Sequence, residues 1–135
     1  MPQLILSCTH GGEIALVSPW IHDVPLDLPP PLGNAGGTLS ELLDYAQRER
    51  RLRVIIYCRE RDQYIRRILI KLSDQVELLL RPNLHAKAIV TSRFILSGSA
   101  NLLWTSLYRN DETLRLDCNQ RTSVRQALRQ DLNIS

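Results

Sequence analysis

His85-Ala-Lys87-Ala-Ile-Val90-Thr-Ser-Arg93-Phe94-Ile-Leu96-Ser-Gly98-Ser99-Ala-Asn101 contains two apolar runs, 88–90 and 94–96, on either side of the polar spacer Thr91-Ser92-Arg93. That pattern predicts a strand, a tight turn and a returning strand. Side chains alternate between the faces of a strand, so His85 and Lys87 are expected on one side of the sheet. Ser99 and Asn101 repeat the two-residue spacing on the partner strand. An imidazole, an ammonium, a hydroxyl and an amide then converge on one patch. Together they can attack a phosphodiester and hold its oxygens.

On the N-terminal side, Glu13-Ile-Ala-Leu-Val-Ser-Pro-Trp-Ile21 reads as a buried central strand. Residues 25–37 hold Pro29-Pro30-Pro31 and Gly36-Gly37 and form a loop near the expected active face. Thr38 or Ser40 caps a helix running to about Arg50, with Glu41 in its first turn. Arg53-Val-Ile-Ile-Tyr-Cys58 is a second core strand. Residues 60–73 place Tyr64, Ile65, Ile68, Leu69 and Leu72 at helical spacing, and Val76 to Leu80 form a third strand. Beyond Asn101 we expect a short helix over residues 102–107, a strand over 112–117 and a terminal helix over 119–132. The order is β-α-β-α-β, hairpin, β-α, with no internal repeat.

A chain of 135 residues with 44% hydrophobic and 23% charged side chains has the size and balance of one compact domain. Its formal charge of +3 favours a polyanionic partner without requiring one. Fifteen of the seventeen basic residues are arginine; Lys71 and Lys87 are the lysines. Arginine suits planar, bidentate phosphate contacts, although a genomic bias toward arginine explains the excess equally well. Cys8, Cys58 and Cys118 are widely spaced and show no metal-ligand pattern, so we expect reduced, partly buried thiols. No segment has the length and apolar character of a membrane span, and the expected location is cytoplasmic.

The set His85 and Lys87, then Gly98, Ser99 and Asn101, then Asn110 and Glu112, resembles the phospholipase D superfamily. That family's signature is H-x-K-x-x-x-x-D followed by G-S/T-x-N. The likeness is strong over residues 75–117 and topological elsewhere. It departs in one place: the family's aspartate falls at Ser92, and the stretch between lysine and glycine is one residue short. That aspartate bonds within the turn in the family, and a serine can replace part of its work by capping backbone groups.

The resemblance implies one α/β domain over residues 1–135, with its motif region at 83–112. It is a phospholipase D-like mixed sheet flanked by helices on both faces. Family active sites use two motifs related by a twofold axis. With one motif per chain, the working unit is expected to be a homodimer with one shared site. The motif strands and residues 98–107 would line the axis. In this scheme His85 of one subunit attacks phosphorus and forms a phosphohistidine. The second copy's His85 protonates the leaving oxygen and then activates water. Lys87 and Asn101 neutralise the phosphoryl oxygens, with Ser99 beside them. Glu112, or its rival Asp111, orients the imidazole. Neither a metal nor a cofactor is called for, because the lysines do the work of a divalent ion.

The expected activity is that of a metal-independent phosphodiesterase, a nuclease cutting DNA in preference to RNA. The alternatives are a non-catalytic nucleic-acid-binding module and a phospholipid-hydrolysing enzyme of the same superfamily. A helicase, or another component of a defence or repair system, is a candidate partner. Trp20 and Trp104 are candidate stacking surfaces for a base, although buried aromatics or a dimer contact explain them as well. His22 is either substrate-facing or structural, and His10 is read as solvated. Arg48 to Arg53 with Arg59, Arg61, Arg66 and Arg67 form either a phosphate-tracking surface or a helix face paired with Glu49, Glu60 and Asp62.

Overall fold

The computed structural model describes residues 11–26, 37–97, 115–120 and 123–134. In chain order the elements are β1 (Glu13–Val17), β2 (Pro25–Leu26), β3 (Gly37–Thr38), α1 (Leu39–Arg50), β4 (Arg53–Cys58), α2 (Gln63–Leu69), β5 (Val76–Leu80), β6 (Ala88–Thr91), β7 (Phe94–Ser97), β8 (Arg115–Cys118) and α3 (Val124–Gln130). Six strands form one mixed sheet in the order β5-β4-β1-β6-β7-β8, and β2 pairs with β3 apart from it. The β5, β4 and β1 strands are parallel; β6, β7 and β8 continue the sheet antiparallel.

Both faces of this sheet are buried, which is why its central strands read as unbroken apolar runs. Along β1, Ile14 and Leu16 face a core built with Leu39, Leu42 and Leu43 of α1 and Ile65 and Ile68 of α2. Ala15 and Val17 face a second core built with Val124, Ala127 and Leu128 of α3. Helices therefore cover both faces, as the sequence led us to expect. The hairpin also forms where expected, with Ala88 opposite Ser97 and Val90 opposite Ile95.

Several boundaries differ from expectation, each for a local reason. The first strand ends at Val17, four residues early, because Pro19 has no N–H to offer a ladder. The α1 N-cap, Thr38, makes no side-chain capping bond. Asp23 supplies it instead, accepting from the Ser40 amide and hydroxyl, both at 2.7 Å. Asp62 caps α2 by accepting from the Tyr64 and Ile65 amides. Past Leu69 the backbone tightens to three-residue bonds at Lys71 and Leu72, which ends the helix short of residue 73. Part of the 25–37 stretch expected as loop pairs, as Pro25 with Thr38 and Leu26 with Gly37.

The hairpin turn is held by a different residue from the one expected. Thr91 Oγ1 accepts from the amides of Arg93 and Phe94, both at 3.2 Å, so Thr91 caps the turn where we expected Ser92. The buried Asn119 then donates its side-chain amide to the Thr91 and Ser123 carbonyls, at 2.8 and 3.3 Å. It also ties its backbone N–H to Arg93 O at 2.9 Å. Asn119 is thereby drawn into the turn, and α3 begins only after Ser123, whose hydroxyl accepts from Gln126 N. Among the described residues no helix is long and apolar enough to cross a membrane.

Candidate active site

The register brings the ends of several segments to one edge of the sheet. Val17 is opposite both Tyr57 and Ala88, and Cys58 is opposite Leu80. Consequently the residues after β1, after β4 and after β5, and those just before β6, share the end where parallel strands finish. Open α/β sheets bind ligands at that end. Backbone bonds extend the ladder past the strands here: Ser18 N to Tyr57 O, Arg59 N to Pro19 O and Arg81 N to Cys58 O.

His85 and Lys87 lie just before β6, which begins at Ala88, so they belong to the approach and not to the strand itself. Leu84 and Ala86 pack into the core on the α3 side, along with Ala88. This alternation anchors every second residue and leaves His85 and Lys87 out of that core. His85 is exposed and Lys87 half-buried. The Lys87 ammonium donates to the carbonyl of His85 at 3.2 Å.

Arg59, the residue after β4, completes the cluster. Its Nη2 sits 2.9 Å from His85 Nδ1, and its Nε donates to Leu84 O at 2.8 Å. Its guanidinium lies over the half-buried Trp20 ring, 5.8 Å from the centroid. Among the described residues Arg59 and Lys87 thus donate to neutral acceptors, Arg59 at the exposed imidazole itself and Lys87 at the carbonyl of the same residue. The other lysine, Lys71, is engaged elsewhere, at 3.0 Å from Asp23. Burial works against the charged form of Asp23, but hydrogen bonds from Ser40 and Lys71 outweigh it and hold the carboxyl below its ordinary 3.8.

A groove of about 530 Å³ opens beside this cluster, lined by Arg81, Pro82, Asn83, Leu84, His85 and Ala86 and, from beyond α3, by Leu132, Asn133 and Ile134. Arg81 lies over the Tyr57 ring at 5.6 Å. A cavity of equal volume lies between β7, β8 and α3, bordered by Ser97, Arg115, Asp117 and Asp131, with no imidazole on its wall.

The sequence-predicted residues divide into three groups. His85, Lys87 and Trp20 come together around Arg59. Ser99, Asn101, Trp104, Asp111 and Glu112 lie outside the described residues, as do His10 and Cys8. The chain segment that carries residues 98–114 leaves from Ser97 and resumes at Arg115, and these two residues are register partners. Ser97 is in turn opposite Ala88, next to Lys87. His22 stacks on Tyr64 of α2, with centroids 4.0 Å apart and planes tilted by 30°.

The arginine cluster also separates. Arg48 pairs with Asp44 at 2.9 Å, and Arg53 faces Glu13 at 3.9 Å. Arg67 covers Tyr64 at 5.9 Å. In the sequence Arg59 is one of fifteen arginines, and nothing in its spacing sets it apart. Its position just past a core strand is the signal that could have done so. Cys58 is a buried thiol, pushed up to about 11 by burial and then by the nearby Asp62 and Glu60 carboxylates. Cys118 is exposed, contrary to the expectation that the thiols are partly buried. Among the described residues no group of three or more His, Cys, Asp or Glu is arranged to hold a metal ion.

No protein-family model matches the chain, and no curated protein matches it.

Proposed function

We propose that this chain is a phosphodiesterase of the phospholipase D type, cutting nucleic acid with DNA preferred, at a site that two copies share. The observation that supports it best is the exposed His85, with the Arg59 guanidinium on its ring nitrogen and the Lys87 ammonium on its carbonyl. Such an arrangement attracts an anionic diester and stabilises the charge that grows on its oxygens during displacement. In the reaction a His85 nitrogen attacks phosphorus, the P–O bond to one nucleotide breaks, and a second imidazole donates a proton to the departing oxygen. Water, deprotonated by that second imidazole, then attacks the phosphohistidine and returns His85. Lys87 holds the non-bridging oxygens throughout.

The test is acid-quenched trapping of a phosphohistidine from a labelled oligonucleotide, run in EDTA beside plasmid and phospholipid-vesicle substrates. A label on His85 with plasmid cleavage is the expected result. Cleavage that requires added magnesium, or hydrolysis confined to the vesicles, would overturn the reading. Light scattering should give twice the monomer mass for the active species, since one chain supplies one such histidine.

A further inference from the structure

We propose that Arg59 is a positioning residue that holds the His85 ring in one tautomer until a phosphate diester takes its guanidinium away. The proposal rests on the phosphodiesterase reading. A guanidinium carries five N–H donors and no acceptor. At 2.9 Å from Arg59 Nη2, His85 Nδ1 must therefore accept. A neutral imidazole has one donor and one acceptor nitrogen, so its proton sits on Nε2. In this arrangement neither nitrogen can attack phosphorus: Nδ1 is covered and Nε2 is protonated.

Arg59 is well placed for this hold. Its Nε is fixed on the carbonyl of Leu84, a buried residue, and its guanidinium rests on Trp20. Lys87 does not compete, because its ammonium reaches the His85 carbonyl and not the ring. A diester offers two anionic oxygens that match the planar fork of a guanidinium far better than one ring nitrogen does. Once Arg59 turns to the diester, Nδ1 is free. One proton then leaves Nε2 for water and one is taken up at Nδ1 from water, with no change in ring charge. Nε2 becomes the bare nucleophile only where a phosphate is already held.

The experiment is nitrogen NMR of histidine-labelled full-length chain at a pH where the ring is neutral, with His85 assigned by difference from His85→Asn. The wild-type ring should carry its proton on Nε2. Arg59→Met should show both tautomers, and Arg59→Lys, which keeps a donor, should restore the wild-type pattern. Inorganic phosphate should move the wild-type ring toward the Nδ1–H form and leave Arg59→Met unmoved. On an oligonucleotide, Arg59→Met should lose about ten- to hundredfold in kcat/KM, the span of one charge-assisted hydrogen bond. Arg59→Lys should recover part of this. A wild-type ring protonated on Nδ1 without phosphate, an Arg59→Met spectrum identical to wild type, or a ring indifferent to phosphate overturns the proposal. Should Arg59→Met fail to fold, the phosphate titration of the wild-type chain decides alone. The tautomer readings do not need turnover, so an inactive wild type with these spectra would refute the phosphodiesterase reading and not the hold of Arg59 on the ring.

Discussion

Where β1 and β4 begin, Arg125 of α3 meets two carboxylates; where they finish, Arg59 and Lys87 meet a ring nitrogen and two carbonyl oxygens. Arg125 lies 3.0 Å from both Glu77 and Glu13 and forms a forked pair with Glu77. That fork is the main reason the Glu77 carboxyl is held below its ordinary 4.5, with burial opposing. At the other end no carboxylate among the described residues answers the two cations. One end uses charge to clasp a helix to the sheet. At the other, the described donors end on neutral acceptors, the arrangement on which the proposed diester site rests.

The largest expected effect breaks the open end: His85→Ala should reduce turnover to background while the chain stays folded, checked by a plasmid assay beside circular dichroism. Retained cleavage would rule out the assigned nucleophile. Next comes Lys87→Ala, which should slow the reaction by about 10²–10³-fold, as loss of one donor to a developing oxyanion does. At the clasped end, Arg125→Ala should leave cleavage unchanged and lower stability by about 1 kcal/mol, the upper end for a solvent-screened pair, because two carboxylates lose a shared, exposed partner. Urea unfolding reads that difference.

The same clasp has a pH signature. Glu77, Asp23 and Asp44 are all depressed in the folded chain, by Arg125 for Glu77 and, against burial, by Ser40 with Lys71 and by Ser73 with Arg48 for the two aspartates. Their contribution to stability is full above the ordinary values of 4.5 and 3.8 and disappears as pH falls through the lower folded values. Acid titration should therefore weaken the wild type more steeply below about pH 4.5 than it weakens Arg125→Ala. The smallest effect tests neither end. Arg51 has a left-handed backbone at φ 54°, so Arg51→Gly should stabilise the chain by about 0.5–1 kcal/mol.

The central strands β1, β4 and β6 were legible because each is an apolar run rich in β-branched residues, and the hairpin because its polar spacer is too short for anything but a turn; the short β2–β3 pair, within a Pro- and Gly-rich stretch, was not. Helix boundaries were less so. The end of α2 is set by tightening of the backbone past Leu69, and the start of α3 by Asn119 leaving to brace a turn 28 residues away. The cap on α1 was hidden for the same reason, since Asp23 comes from 17 residues upstream. In the candidate site, the proximity of His85 and Lys87 follows from two-residue alternation and could be read directly. Arg59 could not, because its contact with His85 spans 26 residues and exists only once β4 and the approach to β6 finish at the same end.

Trp20 beneath the Arg59 guanidinium gives the chain a built-in optical probe. An indole's emission responds to a cation resting on its face, so a Trp104→Phe background isolates one fluorophore beside the imidazole. Stopped-flow mixing with an oligonucleotide would then report the instant the guanidinium departs, turning a static stacking contact into a clock for the first event of the cycle.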